Sequence, residues 1–230
     1  MVWFWGDPTF VLLLPALALA LYAQFKVNST FQRYSEVRST GGATGAQVAR
    51  GLLNGEGLDY VRVEMTEGHL SDHYDPRTRV VRLSPEVYHS SSLAALGVAA
   101  HESGHALQHA QRYVPLGLRN NFFPVANLGS QLAFPLFFLG FLFQGRLLMD
   151  LGILLFTAAV AFQVLTLPVE LNASRRALAL LQSHGFVTSR ELGPVREVLS
   201  AAALTYVAAT AMAAVQLLRL FLLRNLRDDR

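Results

Sequence analysis

His101 and His105 stand four residues apart, with Glu102 directly after the first, in the run His101-Glu102-Ser103-Gly104-His105. On a helix, residues four apart lie about one turn apart on one face. Two imidazoles at that spacing can therefore reach a single ion, and the glutamate between them is placed to act on a water held by it. The chemistry this pattern suits is zinc-assisted hydrolysis. It requires a helix at this point in the chain, a third protein ligand and a fourth position left open. A competing reading leaves both histidines as polar residues satisfied inside a helix bundle, and the intervening glutamate weighs against it.

The helix is expected to start at Ser90, Ser91 or Ser92 and to run to about Arg112, with Leu93, Leu96, Ala100 and Leu107 giving it a partly apolar surface. Gly97 and Gly104 are seven apart and share a face. Glycine in a helix costs roughly 1 kcal/mol relative to alanine, so the pair implies close approach by another element. His109 continues the face of the two histidines but lies a further turn along, too far on a straight helix to share their ion. A place behind the ligands or at the surface fits it better.

Upstream, Thr44 and Gln47 form a capping-box pattern for a helix that turns Val48, Leu52 and Leu53 inward and stops at Asn54-Gly55. Val61, Val63 and Met65 alternate with Arg62 and Glu64, as a half-buried strand requires. Gly68 marks a turn, and Leu70–Tyr74 and Thr78–Leu83 can pair across Asp75-Pro76-Arg77, where Asp72 and Asp75 can stabilise the turn. The segment predicts a small antiparallel meander, followed by a short helix opening at Ser84-Pro85.

Composition places these elements at a membrane. The chain has 230 residues, of which 52% are apolar and 15% charged, well away from the balance of a soluble domain. Pro8–Phe25 carries no charge, and neither do Asn120–Gln144, Leu151–Val169 and Val198–Leu218. Each can cross about 30 Å of hydrocarbon as a helix, the first only just. That first run follows Asp7 rather than a basic segment and lacks a clear cleavage pattern, so it reads as a retained anchor. From Lys26 on, Asn28, Ser29, Tyr34, Ser35 and the run Ser39-Thr40-Gly41-Gly42 look like a linker or a short helix leaving the membrane. There are no cysteines, and the net charge is +3. The basic residues are scattered, which excludes a nucleic-acid footprint and suits a lipid bilayer.

The third ligand has several candidates: His69, His73, His89, His184, Asp72, Asp75, Asp150 and Glu170. Glu170 follows Pro168 at the foot of the third apolar run and opens a helix-like stretch to Leu178. If the second and third runs form a hairpin, the chain crosses twice between His105 and Glu170 and returns them to one side, while Asp150 falls on the other.

The two stretches together, His101-Glu102-Ser103-Gly104-His105 and Glu170-Leu171-Asn172-Ala173-Ser174, resemble the integral-membrane zinc metallopeptidases of the glutamate-ligand zincin group. Their second motif is a Glu followed three residues later by Ala and then an acidic residue. More particularly the chain is similar to the bacterial neutral zinc membrane peptidases. Shared segments are Thr44-Gly45, Asp72-His73-Tyr74-Asp75-Pro76, Arg82-Leu83-Ser84-Pro85, His105-Ala106-Leu107-Gln108 and Ser174-Arg175-Arg176-Ala177, so the resemblance runs from about residue 26 to 218. It implies one zinc ion held by His101, His105 and Glu170, with Glu102 as general base. Ser174 stands where the broader group has a carboxylate that orients a liganding histidine, and a serine brings no such charge. The resemblance also suggests that Val80–Leu83 borders the cleft and pairs with an extended substrate.

The resulting expectation is an α+β membrane protein, mostly helical, with a zincin-like HExxH domain, a small antiparallel sheet and about four transmembrane helices. Its parts are an anchor over 1–25, the zincin-like domain over 26–119, a transmembrane hairpin over 120–169, the third-ligand helix and connection over 170–197, and a last transmembrane helix and tail over 198–230. The expected activity is zinc-dependent endopeptidase cleavage of a protein or peptide substrate. Alternatives are a catalytically inactive membrane zinc-binding protein, and a transporter or scaffold. Oxyanion donors could come from His73, Tyr74, Arg175 or Arg176. Lys26, Arg33, Arg112, Arg119, Arg175 and Arg176 flank the site-bearing segments, whereas only Arg146 lies between the second and third runs. This bias puts the site on the cytoplasmic face of a bacterial inner membrane. The tail, with Arg224, Arg227 and Arg230, runs against it. No internal repeat or phosphate-binding glycine loop is present, and nothing in the sequence specifies an oligomeric state.

Overall fold

The computed structural model describes residues 8–228, without the side chains of Pro8, Arg227 and Asp228. Asp7, which flanks the first apolar run, and Arg230 of the tail lie outside the described residues. The fold is that of a mostly helical α+β membrane protein with a three-stranded sheet. Four helices are long and apolar enough to cross a membrane: Thr9–Ser35, Val114–Phe143, Arg146–Ser183 and Leu192–Leu226. Between 11% and 28% of their most apolar windows is buried. Apolar side chains thus face outward, the inverse of a soluble helix and the arrangement hydrocarbon favours.

By packing, the chain divides into two compact units. The first comprises Met1–Ala23, Leu118–Leu167 and Thr205–Arg230. Its elements are a short 3-10 turn at Pro8–Leu12 and parts of four helices: α1 (Leu13–Ser35), α5 (Val114–Phe143), α6 (Arg146–Ser183) and α7 (Leu192–Asp228). Ala133, Phe137, Met149, Ile153, Phe156 and Leu220 form its core. Glycines set the approach of α5 to α6. A Cβ on Gly129 would lie 2.7 Å from the Leu155 carbonyl oxygen, and one on Gly152 would lie 2.7 Å from that of Ala133. This is the small-residue contact that membrane helices use in place of a hydrophobic driving force. Arg224 reaches Asp150 at 3.2 Å, and Arg219 donates to Thr9 at 3.2 Å. The end of α7 therefore lies beside the start of α6 and the beginning of the first helix, and Asp150 offsets one of the cations of the tail.

Three helices are longer than the apolar runs suggest. α1 continues through Lys26 to Ser35 where a linker or short helix was expected. α6 passes through Pro168, so Glu170 lies inside a long helix rather than at the opening of a new one. α7 begins at Leu192, before Gly193-Pro194.

The second unit comprises Gln24–Gly117 and Pro168–Leu204. It adds α2 (Gly45–Gly55), β1 (Arg62–Met65), β2 (His73–Asp75), β3 (Val80–Leu83), α3 (Pro85–Tyr88) and α4 (Leu93–Ala110). The capping box is present: the Gln47 N–H donates to Thr44 Oγ1 at 3.3 Å and the Thr44 N–H to Gln47 Oε1 at 2.9 Å. Val48, Leu52 and Leu53 of α2 join Val81 and Leu83 of β3, Leu93, Leu96 and Ala100 of α4, and Leu181 and Leu199 in one core.

The sheet corrects the expected meander. β2 and β3 form the predicted antiparallel hairpin, but the order is β1-β3-β2 and β1 pairs with β3 in parallel. The segment from Thr66 to Asp72 carries the chain from β1 past β3, so that β2 starts on the far side. Alternation marks a strand and its buried face without naming its neighbour. Met65, expected inward, is 53% exposed.

Candidate metal centre

α4 starts where the sequence asks. The Ser92 hydroxyl accepts from the Ala95 N–H at 3.2 Å, which caps one of the unpaired donors of the first turn. The helix then runs unbroken through the histidines. Both glycines have a packing reason, each with a different neighbour. Gly97 faces Val195 of α7. Gly104 lies on α6, where a Cβ would meet the Ala173 carbonyl oxygen at 2.8 Å. That contact brings α6 against the stripe His101, Gly104, His105 and Gln108, four residues on one face of α4.

At this crossing the Nε2 atoms of His101 and His105 lie 3.3 Å and 3.5 Å from Glu170 Oε2. The two rings are edge to face, with centroids 4.7 Å apart. One donor atom from each residue lies within 4.8 Å of the others, and this is the only such group of three or more among the described residues. Glu170 is buried, whereas the imidazoles keep 15% and 13% of their side-chain surface open. The cluster is thus reached from the histidine side.

The donor chemistry fits zinc, which two imidazoles and one carboxylate bind with a position to spare. The far nitrogens are engaged as such a site requires. His101 Nδ1 lies 3.1 Å from Ser174 Oγ, and His105 Nδ1 lies 3.0 Å from Gln108 Oε1. Both Nε2 atoms are left toward Glu170.

Glu102, next to His101 on α4, is buried, 8% exposed. Burial pushes its carboxyl up to about 7, while the charge of His101 and a hydrogen bond from the Tyr74 backbone N–H pull the other way. Asp72 accepts from the N–H and hydroxyl of Ser84 at 2.7 Å and 3.1 Å, and burial raises its pKa. It therefore caps the start of α3 rather than the Pro76 turn. Asp75 does hold that turn, accepting from the Arg77 N–H and the Thr78 hydroxyl.

Residues 9–225 match the family described as "Putative neutral zinc metallopeptidase". The chain belongs to that family. It is also 52% identical over 220 residues to the "Putative membrane protease YugP" of Bacillus subtilis (strain 168), an alignment covering 95% of this chain and 97% of the relative. No solved structure matches it. The family's description names a zinc metallopeptidase, in keeping with the donor set, and the relative's name a membrane protease, in keeping with the apolar helices.

Of the remaining candidates, none joins the cluster among the described residues. His69 pairs with Glu86, His89 packs on Tyr88, His184 bonds the Leu180 carbonyl, and Asp150 pairs with Arg224 in the other unit. His73 is exposed with Nδ1 on the Ser71 carbonyl, and Arg175 is exposed. Arg176 is bound to Asn172 and Gln111. His109 does not continue the histidine face. Eight residues along a 3.6-residue helix rotate it by about 80°, and its Nδ1 meets the Tyr74 hydroxyl at 2.8 Å. Tyr74 is itself pushed up to about 12 by burial. β3 cannot offer an edge to substrate, because β1 and β2 occupy both of its sides.

One residue to which the sequence assigns no role, Gln108, stands against the site. Gln108 is fully buried, and its amide nitrogen donates to the Val169 carbonyl at 2.8 Å and to Asn172 Oδ1 at 2.9 Å. Its one signal was position: it lies three residues after His105, within side-chain reach on the same helix.

Proposed function

We propose that this chain is a zinc-dependent endopeptidase of the bacterial inner membrane, hydrolysing peptide bonds of a protein or peptide substrate. The observation that carries the reading is the convergence of His101, His105 and Glu170 at one crossing of α4 and α6, with Glu102 buried beside them. One zinc ion bound there would supply a Lewis acid that acidifies water and polarises a carbonyl. Glu102 takes the proton of the attacking water and returns it to the departing amine. A carboxyl raised toward neutrality by burial is suited to both transfers. Ser174 and Gln108 hold the two rings from behind. Tyr74, tied to His109, is the candidate closest to Glu102 for a donor to the developing oxyanion, because its own backbone N–H already meets that carboxyl.

The substrate edge moves from β3 to β2, which has no further strand on its outer side among the described residues and whose Tyr74 N–H meets Glu102. An extended peptide can add there as a further strand. Lys26, Arg33, Arg112, Arg119, Arg175 and Arg176 support a cytoplasmic site.

The test is zinc content and cleavage of an unstructured polypeptide by purified protein in detergent. Wild type is expected to bind about one zinc, as a single three-residue donor set implies. Glu102→Gln should keep the metal and lose cleavage, and Glu170→Ala should lose the metal. Retained zinc in Glu170→Ala, or unchanged cleavage by Glu102→Gln, refutes the respective assignment.

A further inference from the structure

Gln108 has no surface exposure, so both ends of its amide must be satisfied within the protein. Its orientation follows from its partners. The Val169 carbonyl can only accept, so the amide atom 2.8 Å from it is the nitrogen. The amide oxygen is then the atom 3.0 Å from His105 Nδ1. An amide oxygen can only accept, so Nδ1 of His105 carries the proton and, in the neutral ring, Nε2 is bare.

The second amide hydrogen extends the connection. It is donated to Asn172 Oδ1 at 2.9 Å, and the same oxygen accepts from Arg176 Nε at 2.7 Å. Arg176 in turn donates to Gln111 Oε1 at 2.6 Å and lies over the Tyr113 ring, 5.8 Å from its centroid. The chain of contacts alternates between α4 and α6 and fixes their register where His105 meets Glu170. His101 has no equivalent: its Nδ1 faces the Ser174 hydroxyl, which both donates and accepts and so dictates neither tautomer.

We propose that Gln108 is a positioning residue that sets the tautomer and angle of His105 for metal binding, with Asn172 and Arg176 locking the Gln108 amide in place. The inference rests on the zinc reading above. It assigns the geometric control of the site to its second histidine and to polar residues that never touch the ion.

The experiment is competition for zinc between the full chain in detergent and a chromogenic chelator, with the melting temperature of the metal-free protein as the fold control. Gln108→Met preserves the volume and removes the amide, and its zinc affinity should fall by about 10- to 100-fold, the range for losing a partner behind a metal ligand. Asn172→Leu should weaken binding by about severalfold, while Asn172→Asp, which keeps both acceptor contacts, should stay near wild type. A merely structural role would lower the melting temperature and leave the affinity of the folded protein unchanged. Wild-type affinity in folded Gln108→Met overturns the proposal. If that variant does not fold, the Asn172 pair decides, and equal affinities in Leu and Asp overturn it. Wild type that binds no zinc overturns the metal reading and this inference with it.

Discussion

Gly104→Ala adds one methyl group at the point where α4 touches α6. The new Cβ would stand 2.8 Å from the Ala173 carbonyl oxygen and 3.4 Å from its Cα. Both atoms are backbone, so no rotamer can move aside. Restoring an ordinary carbon–oxygen contact of about 3.3 Å requires the helices to part by about 0.5 Å. Overpacking of this kind costs about 1–3 kcal/mol, and alanine returns about 1 kcal/mol of helix propensity, so the metal-free protein should lose about 0–2 kcal/mol. The metal site is less forgiving. Ala173 lies between Glu170 and Ser174, and ligand distances are useful only within about 0.2 Å. Zinc affinity should therefore fall by about 10- to 100-fold, out of proportion to the loss of stability. Chelator competition and thermal unfolding of the metal-free chain, measured side by side, separate the two effects. Gly117→Ala is the control: its Cβ would meet nothing within 4 Å, and the substitution should be neutral or mildly stabilising. A Gly104→Ala protein that binds zinc as tightly as wild type refutes the argument that this contact sets the ligand spacing.

Two further outcomes are expected. Glu102 must be ionised to take a proton, so activity should rise with pH through its pKa; burial places that value at about 7, and the added charge of a bound cation can only draw it down. A pH profile of kcat/KM should show its acid limb at or below about 7, and a limb well above it would remove Glu102 as the base. Ser174→Asp puts a carboxylate against His101 Nδ1, now 3.1 Å from the hydroxyl; by strengthening the ring as a donor it should tighten zinc about severalfold by the same chelator competition, and weaker binding would show that the serine is not a substitute for the missing acid.

Much of this site is written in local pattern. The histidine spacing, the Ser92 cap and the Thr44–Gln47 box depend on neighbours within a few residues, and each appears as the sequence implies. Glu170 was legible less directly, from the expectation that two apolar runs form a hairpin; the structure does bring it to the histidines. The pairing of β1 was not legible, because alternation encodes a face and the intervening segment is long enough for either neighbour. Pro168 looked like a boundary because it lacks an N–H, yet one missing bond does not end a helix held by a long apolar run before it and by packing of Val169, Asn172 and Ala173 on α4 after it. His109 misled through arithmetic, since a four-residue step drifts about 40° each time. Gln108 was silent because a glutamine on a helix is an ordinary surface residue until its burial is known.

The face of α6 toward α4 leaves no spare turn. Glu170 points to the histidines, Ala173 seats Gly104, Ser174 meets His101, and Ala177 enters the core. The four share one phase of the helix. A deletion of a single residue among them would swing everything beyond it by about 100°, and would remove a core contact, a helix seat and a histidine partner together. Point substitutions can tune this site by degrees, but length changes cannot. Along this stretch the count of residues is as much a part of the site as Glu170 itself.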